Sequence, residues 1–390
     1  MSDSSVEETI ELIGRQSIKF GLQLFKKITD SHENAVFSSY SAYSILMLSY
    51  LGAKKKTFRE LKKVLGLPQD LEYIKSAYLE ICNKMKSDEN MVLNVVNAMF
   101  LSNKLTLNPE FVESVAHYFK SSIQHLNFKD YEVSIKIIND WISCRTFGKI
   151  THLFKKDSIT EDTTTIFVNA IYFEGVWPIK FESKNTSERD FHVSPTRTIK
   201  IPTMYATDIK FTTIIDKKLN CIIAALPYEG DRMTMYLLLP ENKFGLPDLL
   251  KKVKSDKFDY PFLDNDENAI TKPIYLPKFE LESSFNLNVG LESMGLTNIF
   301  NDHSDLSGIA GDPGELKVDQ IVQNAKINVN ERGTKGAAAT GMATFVFHSA
   351  PVRPPPLVID HPFMFFIKDS LTGIILFIGK VVDPSFSHSI

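Results

Sequence analysis

Few residues in this 390-residue chain stand at spacings that could do chemistry of their own. The nine histidines, at positions 32, 117, 125, 152, 192, 303, 348, 361 and 388, form neither HExxH nor another paired-ligand spacing for zinc. Cys82, Cys144 and Cys221 lack CxxC spacing, which argues against a zinc site or a disulfide framework and for three buried thiols. No GxSxG elbow, Walker A loop or GxGxxG fingerprint occurs. The cluster Gly308, Gly311, Gly314 lacks the preceding strand that a nucleotide site needs, and reads as a turn. The stretch that stands out is Glu331 to Pro356, ERGTKGAAATGMATFVFHSAPVRPPP, and its chemistry is that of a strand without a partner.

In an extended chain, side chains alternate between faces. Thr334, Gly336, Ala338, Thr340, Met342 and Thr344 then share one side, mostly small and without charge, and Lys335 stands on the other. That half could enter a sheet. Phe345, Val346, Phe347 and His348 follow, then Pro351, Pro354, Pro355 and Pro356, which cannot donate ladder hydrogen bonds and hold the second half extended and exposed. A Gly/Ala/Pro-rich stretch is ordinarily a linker, so the decision rests on its flanks.

On one side Ala325, Ile327 and Val329 alternate as in a half-buried strand; on the other, VIDHPFMFFIKDSLTGIILFIGKVVDP reads as two buried strands around a turn at Asp369 to Gly373. A loop of this length inside a compact domain is normally functional or disordered. The segment is therefore exposed and anchored at both ends by core strands.

With those residues in place the chain resembles the serpin family. The ERGT hinge followed by GAAAT, and LVIDHPFMFFI, match the family's reactive-centre hinge and C-terminal signature. The likeness continues through NAMF at Asn97 to Phe100, VNAIYFEGVWPIKF at Val168 to Phe181, LPKFELESSFNLNVGLESMGLTNIF at Leu276 to Phe300, DLSGI at Asp305 to Ile309 and FIGKVVDP at Phe377 to Pro384. It implies an α+β fold with three β-sheets, about nine helices and an exposed reactive-centre loop. Residues 1–390 are expected to form a single domain, with hinge and loop over 331–357. The implied activity is that of a suicide substrate: a serine protease, chymotrypsin-like or elastase-like, attacks the loop, an acyl-enzyme forms, and the freed loop inserts into the central sheet before water can hydrolyse the ester.

The hinge residues implied are Glu331, Gly333, Thr334, Gly336, Ala337, Ala338, Ala339 and Thr340. Lys335 departs from the family's usual Glu, on the outward face where a charge is tolerated. Counting sixteen residues from Glu331, the family's usual spacing, gives Phe347–His348 as the reactive bond, an aromatic that fits the deep apolar pocket of a chymotrypsin-like protease. Counting backward from His361 lands near Pro351, because this loop is about four residues longer than compact members of the family. Arg353 is the competitor, disfavoured because Pro354 follows it. Ser38 and Ser41 fall at the shutter, with Asn169 as a polar partner, and Trp177 at the breach. Ser39 stands where the family usually has Pro, and Gln323 where it usually has His. Gln can both donate and accept, so a hydrogen-bond network survives there.

No Pro/Gly/Ser linker or charge block divides the chain, and 43% hydrophobic residues, 28 of them Phe, supply a large core. A net charge of -3 gives no bias toward nucleic acid or membrane. The expected partner is a target serine protease in a covalent complex, and the protein is expected to be a monomer. No metal or cofactor is expected; a heparin-like polyanion is the one ligand left open, on Lys54, Lys55, Lys56, Arg59, Lys62 and Lys63, which Glu60 interrupts. MSDSSVEETIEL has no basic and apolar signal-peptide pattern, so the expectation is a cytoplasmic protein, or one exported without a cleavable signal. Two alternatives share this body: a non-inhibitory carrier, chaperone or storage serpin, and an inhibitor of trypsin-like or cysteine proteases.

Helical spacing predicts an amphipathic helix over Val6 to Ile28, a fully buried helix over Phe37 to Ala53 capped by Ser38 or Ser41, and a helix over Leu71 to Lys86. Thr163 to Gly175 and Met233 to Glu241, rich in β-branched and aromatic residues, read as central strands.

Overall fold

The structure is a computed structural model, described for residues 3–30, 32–67, 70–156, 158–178, 181–253, 270–331 and 354–385. Gly333 to Thr340 of the hinge, and Phe347 and His348, lie outside the described residues. In chain order the first elements are α1 (Asp3–Ile28), β1 (Ala35–Phe37), α2 (Ser39–Gly52), α3 (Lys55–Leu65), α4 (Leu71–Lys84), β2 (Met91–Ser102), α5 (Pro109–Tyr118), β3 (Ser122–Leu126), α6 (Tyr131–Arg145) and β4 (Thr165–Gly175). The strand-rich second half runs β5 (Ser187–Ser194), β6 (Arg197–Asp216), β7 (Cys221–Pro227), β8 (Met233–Pro240), α7 (Leu246–Val253), β9 (Ile270–Pro277), β10 (Phe279–Asn286), α8 (Asn288–Ser293), β11 (Gln320–Val329), β12 (Leu357–Val358), β13 (Phe363–Asp369) and β14 (Ile375–Val381).

α2 has almost no polar stripe, and every residue from Ser39 to Tyr50 is buried. Its N-cap is Ser38, whose hydroxyl accepts from the Ser41 amide at 3.2 Å. α1 can cross it closely because Gly21 has no side chain: a Cβ there would sit 2.1 Å from that of Ser39. The Ser39 hydroxyl donates to the Ile375 carbonyl at 2.8 Å, tying the helix to β14.

The five-stranded sheet has the order β10-β11-β4-β2-β3. Alternation along β4 gives each face its own core. Phe167, Ile171 and Phe173 belong to the main core that includes α2, whereas Ile166, Val168 and Ala170 pack with Ile138 and Ile142 of α6. β11 and β4 pair directly and in parallel, from Gln320 opposite Ile166 to Ile327 opposite Phe173. No strand therefore lies between them.

The remaining strands form a nine-stranded sheet rather than the two further sheets expected. The cause is β6, 20 residues long. Its first half pairs with β5 and β9 and its second half with β7, so one strand carries the ladder through an irregularity between Ala206 and Ile209. Eight α-helices and two 3₁₀ turns, Ser183–Asn185 and Asn298–Phe300, stand among the described residues. The thiols also differ from expectation. Cys221 is buried and burial pushes it up to about 12, but Cys82 is half-buried and Cys144 is exposed on α6, whose outer side faces solvent.

Candidate functional site

The described residues that flank 332–353 are held by polar contacts on both sides. At the start, Glu331 follows β11, its carboxylate 2.8 Å from the Lys278 ammonium and 2.7 Å from the Thr186 hydroxyl, which donates to it. Burial pushes the Glu331 carboxyl up, and those two donors outweigh it, so it titrates below its ordinary value. At the far end Pro354, Pro355 and Pro356 are exposed, and β12 pairs in parallel with Ile274 and Tyr275 of β9. Asp360 then takes an ion pair from Lys243 at 2.9 Å and lies 2.7 Å from His361 Nδ1, while His361 Nε2 lies 2.8 Å from the Pro240 carbonyl. Burial alone would raise Asp360, but the His361 and Lys243 contacts hold it down at about 2.

The seam between β4 and β11 is pinned at its ends. At the hinge end the Trp177 indole donates to the Asn330 carbonyl at 3.2 Å. That ring is 3% exposed, stacked on Tyr228 with centroids 4.4 Å apart and set edge-on to Phe181 at 6.0 Å. Gly175 permits the approach, since a Cβ there would meet the Tyr228 ring at 2.5 Å. At the opposite end Asp319 Oδ2 accepts from the Thr164 amide at 2.7 Å, the Thr164 hydroxyl at 2.9 Å and the Thr165 amide at 2.9 Å. The Asp319 amide donates back to the Thr165 carbonyl at 3.0 Å.

Midway, the polar groups turn away from the seam. Gln323 and Asn169 are register partners across it. Gln323, fully buried, accepts from the Ser38 amide at 2.9 Å and donates to the Ser38 carbonyl at 2.8 Å. Asn169 instead donates to Asn97 Oδ1 at 2.6 Å and to the Val96 carbonyl at 3.3 Å, both on β2. Asn169 Oδ1 and the Ser41 hydroxyl have no hydrogen-bond partner among the described residues. The structure thus brings Ser38, Ser41 and Gln323 together on the β11 side and leaves Asn169 with β2. Apart from backbone ladder bonds, no side-chain hydrogen bond joins Gln323 to Asn169. The seam can part there without rupturing one.

The scan of family descriptions matches residues 15–384 to "Serpin (serine protease inhibitor)". The chain is a serpin. It is 32% identical to Antichymotrypsin-2 of Bombyx mori over 369 residues, covering 92% of this chain and 95% of that one. It is 31% identical to human Serpin B4, covering 95% and 99% respectively. Among solved structures it is similar to uncleaved ovalbumin with a TM-score of 0.85 at 27% identity, over 95% of this serpin and 100% of that chain.

Several residues of the site carry no local sequence signal. Lys278, between β9 and β10, and Thr186, just before β5, grip Glu331 from separate parts of the chain, and Asp319 lies in the irregular stretch before β11. Asn97 lies within the NAMF block, but only the register of β2 against β4 makes it the partner of Asn169. In this serpin part of the basic run on α3 is already engaged: Lys55 pairs with Asp305 at 3.4 Å and Lys56 with Glu60 at 3.8 Å. Among the described residues no group of His, Cys, Asp and Glu could hold a metal ion, and no helix is long and apolar enough to cross a membrane.

Proposed function

We propose that this serpin inhibits chymotrypsin-like serine proteases, presenting Phe347–His348 as the bond to be cut. The observation that carries the reading is the direct β4–β11 ladder, pinned at Trp177 and Asp319 and unbridged between Gln323 and Asn169. A sheet arranged this way takes a new strand by exchanging one ladder for two. The donor is the segment that follows Glu331, whose core-side residues Thr334, Gly336, Ala338 and Thr340 are small and uncharged. The protease supplies all the catalytic groups. Its serine attacks the Phe347 carbonyl, the amine of His348 leaves, and the acyl-enzyme persists if insertion outruns hydrolysis. Similarity to a relative named antichymotrypsin supports the target class.

The test is incubation with chymotrypsin-, elastase- and trypsin-like proteases, followed by denaturing electrophoresis and mass measurement of the released C-terminal peptide. An SDS-resistant complex with a chymotrypsin-like enzyme and a peptide beginning at His348 are expected. Clean cleavage without complex would make the protein a non-inhibitory serpin, and a peptide beginning at Pro354 would move the reactive bond to Arg353.

A further inference from the structure

A cavity of about 460 Å³ stands where the end of α1, the β5–β6 turn, β10 and the chain after β14 meet, and the loop mechanism makes no use of it. Part of its wall is apolar. Ile28, Val193, Phe285 and Val382, one from each of those four places, are half-buried, packed against the main core and lining the cavity. The Phe285 ring is set edge-on to Phe37, with centroids 6.5 Å apart. Hydrogen bonds hold the wall in place. Asn34 donates to the Asp383 carbonyl at 2.6 Å and accepts from the Val382 amide at 2.7 Å and the Asp383 amide at 2.9 Å. On the β10 side the Ser283 hydroxyl accepts from the Val36 amide at 3.1 Å. The site is therefore formed before any ligand arrives, and binding need not order it.

The charged groups around the cavity select the sign of the ligand. Arg197 is committed to Asp383: its Nη1 lies 2.6 Å from Oδ2 of a carboxylate that is 10% exposed. Receiving an anion there would draw the guanidinium away and strand a buried aspartate. Asp30 and Glu33, exposed on the loop that follows α1, are differently placed. Asp30 Oδ1 accepts the His32 amide at 2.8 Å, and neither carboxylate has an ion pair among the described residues. With histidine counted neutral, the three carboxylates of Asp30, Glu33 and Asp383 stand against one guanidinium, a net of two negative charges around the cavity. The Phe285 ring acts in the same direction, because an aromatic face attracts a cation.

We propose that this cavity binds a small hydrophobic amine, an aromatic ring on a short aminoalkyl arm, with the ring against Phe285 and Val382 and the ammonium between Asp30 and Glu33. Covering four half-buried apolar side chains supplies the attraction, and the two free carboxylates supply the selectivity for a cation. The volume of about 460 Å³ lies in the lower part of the range of roughly 300–1,000 Å³ usual for small-molecule sites, which suits a bicyclic ring and its arm. The proposal is independent of whether the protein inhibits a protease.

The test is calorimetric titration of the full chain with tryptamine. Indole-3-acetate serves as the same ring with the opposite charge, and ethylamine as the charge without the ring. Tryptamine is expected to bind saturably and to raise the melting temperature, with both comparison compounds about tenfold weaker or worse. Combining Asp30→Asn with Glu33→Gln should weaken tryptamine by about tenfold, from two exposed charge contacts at roughly threefold each. Val193→Trp fills the cavity and should abolish binding. A large side chain there can also disturb the fold, so if that variant does not melt cooperatively the decision passes to the Asp30 and Glu33 pair, whose exposed side chains can lose their charge without repacking. Absence of saturable binding at about 1 mM tryptamine, equal affinity for indole-3-acetate, or unchanged affinity in the charge-neutralised variant would each overturn the proposal.

Discussion

Replacing Gln323 with Glu turns a neutral clamp at the seam into a titrating one, with a calculable effect. The Gln323 side chain is fully buried, accepting from the Ser38 amide at 2.9 Å and donating to the Ser38 carbonyl at 2.8 Å. A protonated Glu can make the same pair, with its carbonyl accepting and its hydroxyl donating. Once ionised it turns a lone pair toward the Ser38 carbonyl and becomes a buried charge with no cation beside it. Burial of this kind moves a carboxyl upward by about 3 in pH from the ~4.3 of an unfolded glutamate. The folded value lies above the unfolded one, so the contribution is complete below about pH 4 and is lost as pH rises toward about 7. At ~1.4 kcal/mol per pH unit the loss reaches about 4 kcal/mol, a large share of a typical domain's 5–15 kcal/mol. The assay is the guanidinium midpoint from pH 4.5 to 8, taken as the difference from the unmodified protein at each pH so that other titrations cancel. Gln323→Ala is the control. It orphans the Ser38 amide, while the Ser38 carbonyl keeps the Ala42 amide at 3.2 Å, so it should cost about 3 kcal/mol at every pH. A Glu variant whose deficit stays flat from pH 4.5 to 8 would refute the buried two-point contact with Ser38.

Three further outcomes are expected. Trp177→Phe removes the donor to the Asn330 carbonyl and part of a buried ring, lowering native stability by about 2 kcal/mol and bringing heat-induced oligomers to lower temperature; an unchanged melting curve would mean that this end of the seam is not held there. Thr334→Arg should leave the native melting temperature alone and convert inhibitor to substrate, because the charge must be buried only on insertion; trapping at the original stoichiometry would contradict insertion in this register. Phe347→Arg should redirect inhibition from chymotrypsin-like to trypsin-like proteases while Arg353→Ala changes little, and inhibition profiles against both enzymes decide it.

The sequence determined the parts whose patterns are local. An unbroken apolar run from Phe37 to Ala53 made α2 a buried helix, and serine at its start made Ser38 the cap. Continuous apolar runs on either side of the Asp369 to Gly373 turn made β13 and β14. What it left open depended on partners far apart in the chain. Gln323 bonds to a residue 285 positions away and Thr186 to one 145 away, and the choice is made by how strands align, which side-chain type does not encode. The same applies to Ser38, Asn169 and Gln323. Residue type placed polar groups at Ser38, Asn169 and Gln323; the β11–β4 register decided that two face each other and that one bonds to α2 and the other to β2. It likewise merged two expected sheets into one, because β6 is long enough to pair with β9 at one end and β7 at the other. Side-chain chemistry fixes which face of each element seeks the core, whereas backbone pairing between distant segments fixes which groups meet there.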